Sequence, residues 1–299
     1  MKRLQQTGRA LGSAVVLTLI VDDPATADGL FADLWNHIHS FEKQFSRFLP
    51  DSELTHFNQQ AGQPVEVTKS FKRLLQTCQK FSQITDGLYN PFILPDLQKA
   101  GYVASWPKPD ASTSQDYSHR QAAPIDQLII KGDSAQIPVN SALDFGGIGK
   151  GYLLDELATG LKKQKVKAYW LSLGGDIVCA GNDLDGAPWQ VAIANAQKPG
   201  EVVGHMSAAT KGGAIATSGT TKRRGAKTGK QWHHIIDPRS GQPAQTDVVT
   251  ASVSAATATE ADVFAKCLVI LGSQAAQQFA KQRALYSVIL QTENGDILK

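Results

Sequence analysis

The segment TATEADVFAKCLVILG, residues 257–272, carries an acid and a base within an otherwise apolar stretch. Asp262 and Lys266 stand four positions apart, so a helix places both side chains on the same face. Thr257 and Glu260 form the sequence pattern of a capping box, which predicts that this helix begins there. Two interpretations are open. The pair either belongs to a functional site or is an exposed ion pair worth about 0.3–0.5 kcal/mol, and the spacing alone favours the ion pair.

A glycine-rich segment, DFGGIGKG at residues 144–151, is the second place where chemistry is indicated. Its glycines let the backbone approach a ligand closely, and a helix that begins here offers unpaired N–H groups to a phosphate. Lys150 would add positive charge. The spacing matches neither a Walker A loop nor the dinucleotide motif, so a tight turn that only caps a helix is equally compatible with it.

Two further turns combine glycines with polar residues. LSLGGDIVCAG, residues 171–181, places Asp176 after two glycines at the end of a strand, a pattern that by itself favours a β-bulge. ATSGTTKRRG, residues 216–225, is rich in hydroxyl groups and glycine. Its basic run at 222–224 indicates either a solvated loop, the commoner case, or a loop that binds an anion.

The segment WHHIIDPRSGQP, residues 232–243, contains two adjacent histidines followed by an aspartate and a tight turn. Successive side chains of a strand point to opposite faces, so at most one of His233 and His234 reaches a given site. A structural histidine bound within the turn is the alternative.

The composition excludes several classes of protein. The chain has 299 residues, of which 42% are hydrophobic and 19% charged, as expected for a globular protein with a core. A net charge of +3 is too small to indicate nucleic-acid binding. No stretch reaches the roughly 18 apolar residues of a membrane span. The three cysteines are widely separated and form no metal-binding spacing, which favours buried thiols in a reducing compartment.

An apolar run at residues 14–21 follows a basic N-terminus and could be taken for a secretory signal. Val15, Leu17, Leu19 and Val21 alternate as in a strand, and an Asp-Asp-Pro sequence follows directly. We therefore predict that this run is the first strand, that residues 1–27 are retained, and that the protein is cytoplasmic.

Periodicity along the rest of the chain predicts a mixture of helices and short strands. Apolar residues at helical spacing predict helices over about 26–48, from Thr68 to Asp86-Gly87, after the turn at 144–151, over 257–272 and over about 273–283. Short apolar runs between glycines predict strands in AYWLSLGGDIVCAG, WQVAIAN, GGAIATSG, WHHIIDP and VVTASVSAA, a hairpin in QLIIKGDSAQIPV, and a strand pair around Asn294-Gly295. LYNPFILP is predicted to be irregular and residues 104–124 to be a surface loop. Together these elements predict one α+β domain over residues 1–299.

Seven segments, in this order, resemble the ApbE-type flavin transferases (FAD:protein FMN transferases): FSRFLPDSEL, TDGLYNP, DFGGIGKGYLLD, LSLGGDI, ATSG, HHIIDPRSGQP and SAATATEADVFAKCLVILG. The resemblance runs from about Leu11 past Gly272, nearly the whole chain. It implies a single α+β domain of mainly antiparallel sheets with flanking helices and a cleft for FAD. Members of the family use a divalent metal ion to move FMN from FAD onto a threonine of an acceptor protein and release AMP.

The resemblance also assigns roles to particular residues. The flavin contacts that it implies are Leu11, Phe48, Leu88, Tyr89, Asn90, Asp144, Lys150 and Ile236. The metal contacts that it implies are the Gly147 carbonyl and the Asp262 carboxylate. Breaking a pyrophosphate needs charge neutralisation and a base, and we predict His234, Asp262 and Lys266 as the catalytic residues.

This chain departs from the family at several of these positions. The family usually has methionine at Leu11, tyrosine at Phe48 and aspartate at Asn90, and Thr220 stands where an acid is common. Lys266 replaces a threonine that serves as an oxygen ligand, and a protonated ammonium cannot bind a metal ion.

The departures leave the use of Mg²⁺ and the activity open. Lys266 either supplies part of the metal's charge or abolishes the activity of the site. The alternatives to transfer are FAD binding without transfer and hydrolysis of the FAD pyrophosphate.

Overall fold

The computed structural model describes residues 1–105, 115–207, 213–227, 230–283, 285 and 287–299. The strands in these residues run, in chain order, β1 (Lys2–Ala10), β2 (Ser13–Val21), β3 (Val65–Glu66), β4 (Ile129–Lys131), β5 (Ser134–Gln136), β6 (Ala168–Leu173), β7 (Asp176–Ala180), β8 (Gln190–Ala194), β9 (Val202–Ser207), β10 (Gly213–Gly219), β11 (Arg224–Lys227), β12 (Lys230–His233), β13 (Ile236–Asp237), β14 (Gln242–Pro243), β15 (Val248–Ala255), β16 (Ser287–Thr292) and β17 (Ile297–Leu298). The helices are α1 (Ala27–Phe45), α2 (Glu53–Gln59), α3 (Lys69–Ile84), α4 (Leu94–Ala100), α5 (Gly149–Lys163), α6 (Ala258–Leu271) and α7 (Ser273–Gln282).

The chain divides into two compact units, each made of separate stretches of sequence. The first unit comprises Met1–Phe41, Ile148–Gly219 and Thr246–Lys299, and the second comprises Glu42–Gly147 and Thr220–Gln245. The interpretation of residues 1–299 as one domain stays a prediction.

An eight-stranded antiparallel sheet is the framework of the first unit, in the order β1-β2-β6-β7-β10-β15-β16-β17. Helices α5 and α6 pack against β7, and α6 also packs against β10 and β15. Apolar side chains of β8 and β9, among them Val191, Ile193 and Met206, form a second core with Ile177 and Ile215 of the sheet. The sheet is therefore covered by helices and by a hairpin, as the predicted α+β class requires.

The α5–α6 contact depends on a residue without a side chain. A Cβ atom on Gly151 would collide with the backbone of Ala258 and Thr259, so only glycine permits the first turns of the two helices to approach so closely. Asp155 of α5 then reaches the N-terminus of α6, where it accepts hydrogen bonds from the Ala258 N–H at 2.7 Å and the Thr259 N–H at 2.9 Å. The predicted capping box of Thr257 and Glu260 is present as well. These bonds satisfy N–H groups that the start of a helix leaves without partners.

Aromatic residues build the core of the second unit. Phe71 stacks against Phe45, with ring centroids 5.8 Å apart, and lies 5.1 Å from Phe57 and 5.7 Å from Phe145. Asn58 is fully buried and binds Leu143 twice, donating to its carbonyl at 2.9 Å and accepting from its N–H at 2.8 Å. This core carries the segment that leads into the glycine-rich loop at 144–147.

Most of the predicted elements are confirmed, and two errors have identifiable causes. Residues 14–21 do form a strand, but β1 precedes it; β1 was missed because its exposed face is polar. LYNPFILP is not wholly irregular, because α4 begins at Leu94 with Pro95 in its first turn, where proline is tolerated. Residues 115–124 form no regular element, and 106–114 lie outside the described residues. Within the described part of the chain, no helix is long and apolar enough to cross a membrane.

Substituting Asp155 tests how strongly the α5–α6 contact stabilises the fold. Asp155→Ala removes the acceptor from two main-chain N–H groups and from the Thr259 hydroxyl, which also donates to Asp155. We expect a loss of about 3 kcal/mol in the free energy of unfolding, measured by urea denaturation. Asp155→Asn, which keeps one carbonyl oxygen, should lose about 1 kcal/mol. The exposed Asp126→Ala control should change it by less than about 0.5 kcal/mol, and an equal loss in Asp126→Ala and Asp155→Ala would contradict this role.

Candidate functional site

Four charged residues of the first unit lie together and are called here the charged cluster: Lys150, Asp176, Asp262 and Lys266. Lys150 lies in the first turn of α5, Asp176 is the first residue of β7, and Asp262 and Lys266 lie one turn apart on α6. Both carboxylates are almost fully buried, with 3% of Asp176 and 1% of Asp262 exposed. Buried charges are stable only when they are paired, so the cluster is a candidate site rather than a surface ion pair. The interpretation as an exposed pair is therefore wrong.

Every oxygen of Asp262 is bound by a donor. The Lys266 ammonium bonds the Oδ1 atom and also donates to the Asp262 main-chain carbonyl at 3.1 Å. The Gly151 N–H donates to Oδ2 at 3.1 Å, and the Lys150 ammonium lies 3.9 Å from the same atom. Burial acts to raise the pKa of Asp262, but Lys150, Lys266 and the Gly151 N–H together hold that pKa below its ordinary value. Asp262 is therefore an ionised carboxylate.

Asp176 is the counterpart of Asp262 on the other side of Lys150. Its Oδ2 atom pairs with the Lys150 ammonium, and its Oδ1 atom accepts from the Thr217 N–H at 3.3 Å. Burial raises the pKa of Asp176, Lys150 opposes that shift, and the neighbouring Asp262 carboxylate adds to it. The Lys150 ammonium thus lies between two carboxylates.

Two tight turns meet next to the cluster. Leu11 and Gly12 connect β1 to β2, and Gly174 and Gly175 connect β6 to β7, all four with positive φ angles. A Cβ atom on Gly174 would lie 2.8 Å from the Ser13 Oγ atom and 3.8 Å from the Lys150 Cδ atom. The turn that contains Leu11, a predicted flavin contact, therefore lies beside the turn that starts β7 and close to Lys150.

Leu11 is an unusual residue for its position. Its φ of 54° is left-handed, which costs a residue with a side chain about 1–2 kcal/mol. Two-residue hairpin turns usually place asparagine, aspartate or glycine there. Strain of this kind concentrates at functional sites, and the role of Leu11 as a flavin contact stays a prediction.

The donors around Asp262 do not fit a divalent metal ion. Metal ions of the magnesium type need several oxygen ligands, whereas Asp262 faces two ammonium groups and an N–H group. Within the described residues there is also no group of three or more His, Cys, Asp or Glu side chains that could hold a metal ion. The metal-ligand roles of Gly147 and Asp262 stay predictions.

In the second unit, Arg47 holds the start of the glycine-rich loop. Its Nε atom bonds Asp144 Oδ2 at 2.7 Å, and its Nη2 atom donates to the Tyr102 carbonyl at 3.0 Å. The guanidinium lies over the rings of Phe48 and Tyr102, at 4.1 and 4.9 Å. Asp144 Oδ1 accepts from the Gly146 N–H at 2.7 Å. Two of the predicted flavin contacts, Phe48 and Asp144, are thus joined through Arg47.

The remaining predicted flavin contacts of the second unit are largely buried. Tyr89 is 5% exposed and its hydroxyl bonds Cys78 Sγ at 3.2 Å, and Leu88 and Ile236 are 9% and 3% exposed. The Asn90 amide donates to the Ala123 carbonyl at 2.9 Å, and its carbonyl oxygen accepts from the Phe92 N–H at 3.0 Å. Asn90 therefore already has a structural use as the cap of the turn at Pro91–Ile93.

The two adjacent histidines differ in their surroundings. His233 Nδ1 accepts from the Ile235 N–H at 3.3 Å, so Nε2 carries the proton and donates to the Ala244 carbonyl at 3.0 Å. Burial lowers the pKa of His233, although the bond to Ala244 opposes the shift, and the ring is neutral. His234 is half-buried and makes an edge contact with Tyr102, with ring centroids 6.2 Å apart. His233 is structural, which leaves His234 as the candidate base.

Asp176 and Arg47 are the two residues of these clusters that the sequence analysis did not assign to the site. The β-bulge interpretation of LSLGGDI was wrong, because Gly174 and Gly175 form a hairpin turn and Asp176 pairs regularly with Leu173. A carboxylate at the start of the apolar strand DIVCA was the available signal. For Arg47, the signal was a single cation within the aromatic segment FSRF.

The fold and the site define an α+β protein in which a glycine-rich loop leads into a positively charged helix start. The chain belongs to the ApbE family, whose model matches residues 11–290. This confirms the resemblance that the seven sequence segments indicated.

Relatives in sequence and solved structures of similar fold support the assignment to this family. The chain is 26% identical over 310 residues to an FAD:protein FMN transferase of Haemophilus influenzae, covering 100% of this chain and 89% of the relative. It is 29% identical over 296 residues to a protein of the same name from Klebsiella pneumoniae, covering 96% and 89%. The fold is similar to the ApbE protein of Thermotoga maritima, with a TM-score of 0.86 at 21% identity over 100% of this chain and 97% of that one. It is also similar to the apo flavinyl transferase ApbE of Pseudomonas stutzeri, with a TM-score of 0.82 at 24% identity over 99% and 93%.

Substituting Arg47 tests whether it holds the loop at 144–147. Arg47→Met leaves the Asp144 carboxylate buried without its cation, so we expect a loss of about 3–5 kcal/mol in the free energy of unfolding. Arg47→Lys restores the charge but not the fork of donors, and it should recover part of the loss. Urea denaturation measures both, with the exposed Arg9→Met as the control. A stability of Arg47→Met equal to that of the control would show that the pair does not stabilise the loop.

Proposed function

We propose that this protein is an FAD:protein FMN transferase, which moves FMN from FAD to a threonine hydroxyl of an acceptor protein and releases AMP. The observation that carries the proposal is membership of the ApbE family over residues 11–290, with relatives of that name matched over nearly their whole length. The glycine-rich loop and the Lys150 ammonium at the start of α5 support it, because a diphosphate needs such donors and positive charge.

The reaction is a substitution at phosphorus. The threonine oxygen forms a bond to the phosphorus of the FMN half of FAD, and the bond from that phosphorus to the AMP oxygen breaks. The threonine proton must pass to a base, and the leaving AMP carries away the negative charge. We assign the base to His234, since the ring of His233 is held by main-chain groups on both nitrogens.

The predicted contacts with FAD are part of this proposal. They are Leu11, Phe48, Leu88, Tyr89, Asn90, Asp144, Lys150 and Ile236. Support within the first unit comes from the turn of Leu11, which lies near Lys150 beside Gly174. Support within the second unit comes from Arg47, which binds Asp144 and lies over Phe48. We assign no step to a magnesium ion, because the donors around Asp262 do not fit one.

A second candidate function is FAD binding without transfer, and one observation favours it. The Lys266 ammonium pairs with Asp262, and the resemblance implies an oxygen ligand of a metal ion at position 266. A single ammonium carries half the charge of a divalent ion and cannot hold two phosphate oxygens in octahedral geometry. Hydrolysis of the FAD pyrophosphate is the third outcome, in which water takes the place of the threonine.

One assay with recombinant protein separates the three candidates. FAD and an acceptor protein that carries the motif Ser/Thr-Gly-Ala-Thr are incubated with the enzyme, and the matched acceptor has valine in place of the final threonine. Transfer predicts a covalent fluorescent flavin band that is absent with the valine acceptor, together with AMP. His234→Gln should then lower kcat by at least about 100-fold while the protein still binds FAD.

The other outcomes of this assay are equally distinct. AMP without a fluorescent band indicates hydrolysis. FAD binding in isothermal titration calorimetry, with neither product formed, indicates a binding protein. No heat with FAD at tens of micromolar protein would contradict all three functions.

We also propose a cytoplasmic location. It is supported by β2, which pairs with β1 on one side and β6 on the other, and by three cysteines that are buried as thiols. Removal of residues 1–27 would take two strands from the sheet, so we expect the native protein to retain them. Mass spectrometry of protein purified from its own source measures this, and a mature N-terminus at Asp28 would contradict the proposal.

A further inference from the structure

We infer that the Lys266 ammonium takes the place of a divalent cation at Asp262, so that this protein binds its nucleotide without a metal ion. The inference rests on the proposed function in so far as the ligand is the diphosphate of FAD. The part that concerns Asp262 and Lys266 alone can be measured without any nucleotide.

The oxygens of Asp262 already accept hydrogen bonds from the protein. Lys266 bonds both the Oδ1 atom and the main-chain carbonyl of Asp262, and the Gly151 N–H bonds Oδ2. A metal ion on Oδ1 would have to displace the Lys266 ammonium, and one on Oδ2 would lie beside the Gly151 N–H and the Lys150 ammonium. Lys266 therefore occupies the acceptor positions that a hard cation would use.

The charges of the cluster also oppose the binding of a metal ion. Lys150 and Lys266 carry two positive charges and Asp176 and Asp262 two negative charges when all four are ionised, so the cluster is neutral by itself. A divalent ion would add two positive charges next to two ammonium groups in a buried site. Like charges at such distances repel strongly because the interior screens them poorly.

The Lys266 ammonium has more N–H donors than its bonds to Asp262 use. An ammonium has three N–H donors, and among the described residues two of them are directed to Asp262. The side chain is 15% exposed, whereas that of Asp262 is 1% exposed. The third donor can therefore bond an anionic oxygen of a ligand, while Asp262 holds the ammonium in place.

A threonine at position 266 would allow Asp262 to bind a cation. Lys266→Thr leaves one ammonium against two carboxylates and removes the ammonium from the Oδ1 atom and the carbonyl of Asp262. The new hydroxyl adds a third oxygen on the same helix face. We expect this variant to gain a cation site that the unmodified protein lacks.

Electron paramagnetic resonance of Mn²⁺ measures the cation site without FAD. The unmodified protein should show no stoichiometric Mn²⁺ binding. Lys266→Thr should bind one Mn²⁺, with a Kd at least about tenfold lower than that of any residual binding by the unmodified protein. Lys281→Thr, the same substitution at an exposed lysine of α7, should behave like the unmodified protein. The double variant Lys266→Thr, Asp262→Asn should lose the gained site.

Titration with FAD measures the consequence for the nucleotide. The Kd of the unmodified protein should agree within about twofold between EDTA and Mg²⁺, whereas Lys266→Thr should bind FAD about tenfold more tightly in Mg²⁺ than in EDTA. If no variant binds FAD, the proposed function fails, and the Mn²⁺ measurement still decides the inference.

Two results would overturn the inference. One is stoichiometric Mn²⁺ binding by the unmodified protein that Asp262→Asn abolishes. The other is a folded Lys266→Thr variant, checked by circular dichroism, that gains no Mn²⁺ site. Should that variant not fold, Lys266→Ser replaces it, and the measurement on the unmodified protein remains decisive.

Discussion

The burial of two carboxylates around two ammonium groups is the constraint on which the rest of the first unit depends. Asp176 and Asp262 are almost fully buried, and such carboxylates are stable there only because Lys150 and Lys266 pair with them. The four charges come from α5, α6 and the start of β7, so these elements must meet within hydrogen-bonding distance. The contacts between these elements therefore depend on particular residues.

Two glycines make that meeting possible, and one aspartate stabilises it. Gly151 removes the side chain that would separate the first turns of α5 and α6, and it donates its N–H to Asp262. Gly174 lets the turn before Asp176 lie against Ser13. Asp155 binds the N-terminus of α6 from α5. These residues are not among the proposed FAD contacts, yet they set the positions of residues that are.

In the charged cluster, this chain differs in chemistry from what its family resemblance implies. A threonine would offer an oxygen to a metal ion, whereas Lys266 offers donors and a charge that Asp262 neutralises. The consequence is a site whose charges are balanced within the protein itself. Arg47 shows the same principle in the second unit, where a buried guanidinium and the Asp144 carboxylate neutralise each other at the start of the glycine-rich loop.

The sequence by itself determined the elements whose signals are local. The capping box of Thr257 and Glu260, the glycine-rich start of α5 and the alternating strand at residues 14–21 depend on neighbours within a few positions, and each is present in the structure. The order of seven motifs likewise sufficed to predict the family. The (i, i+4) spacing of Asp262 and Lys266 predicted their pairing, because helix geometry alone brings them together.

Only the tertiary structure decided which of these residues are buried and which other parts of the chain they meet. The spacing of Asp262 and Lys266 does not show whether the pair is exposed or buried, because its burial depends on α5 and on the sheet packed against α6. Asp176 is 86 positions from Asp262 and Arg47 is 97 positions from Asp144, and no local pattern joins residues so far apart. The charge balance at Asp262 therefore became visible only when the folded chain brought Lys150 and Asp176 to it.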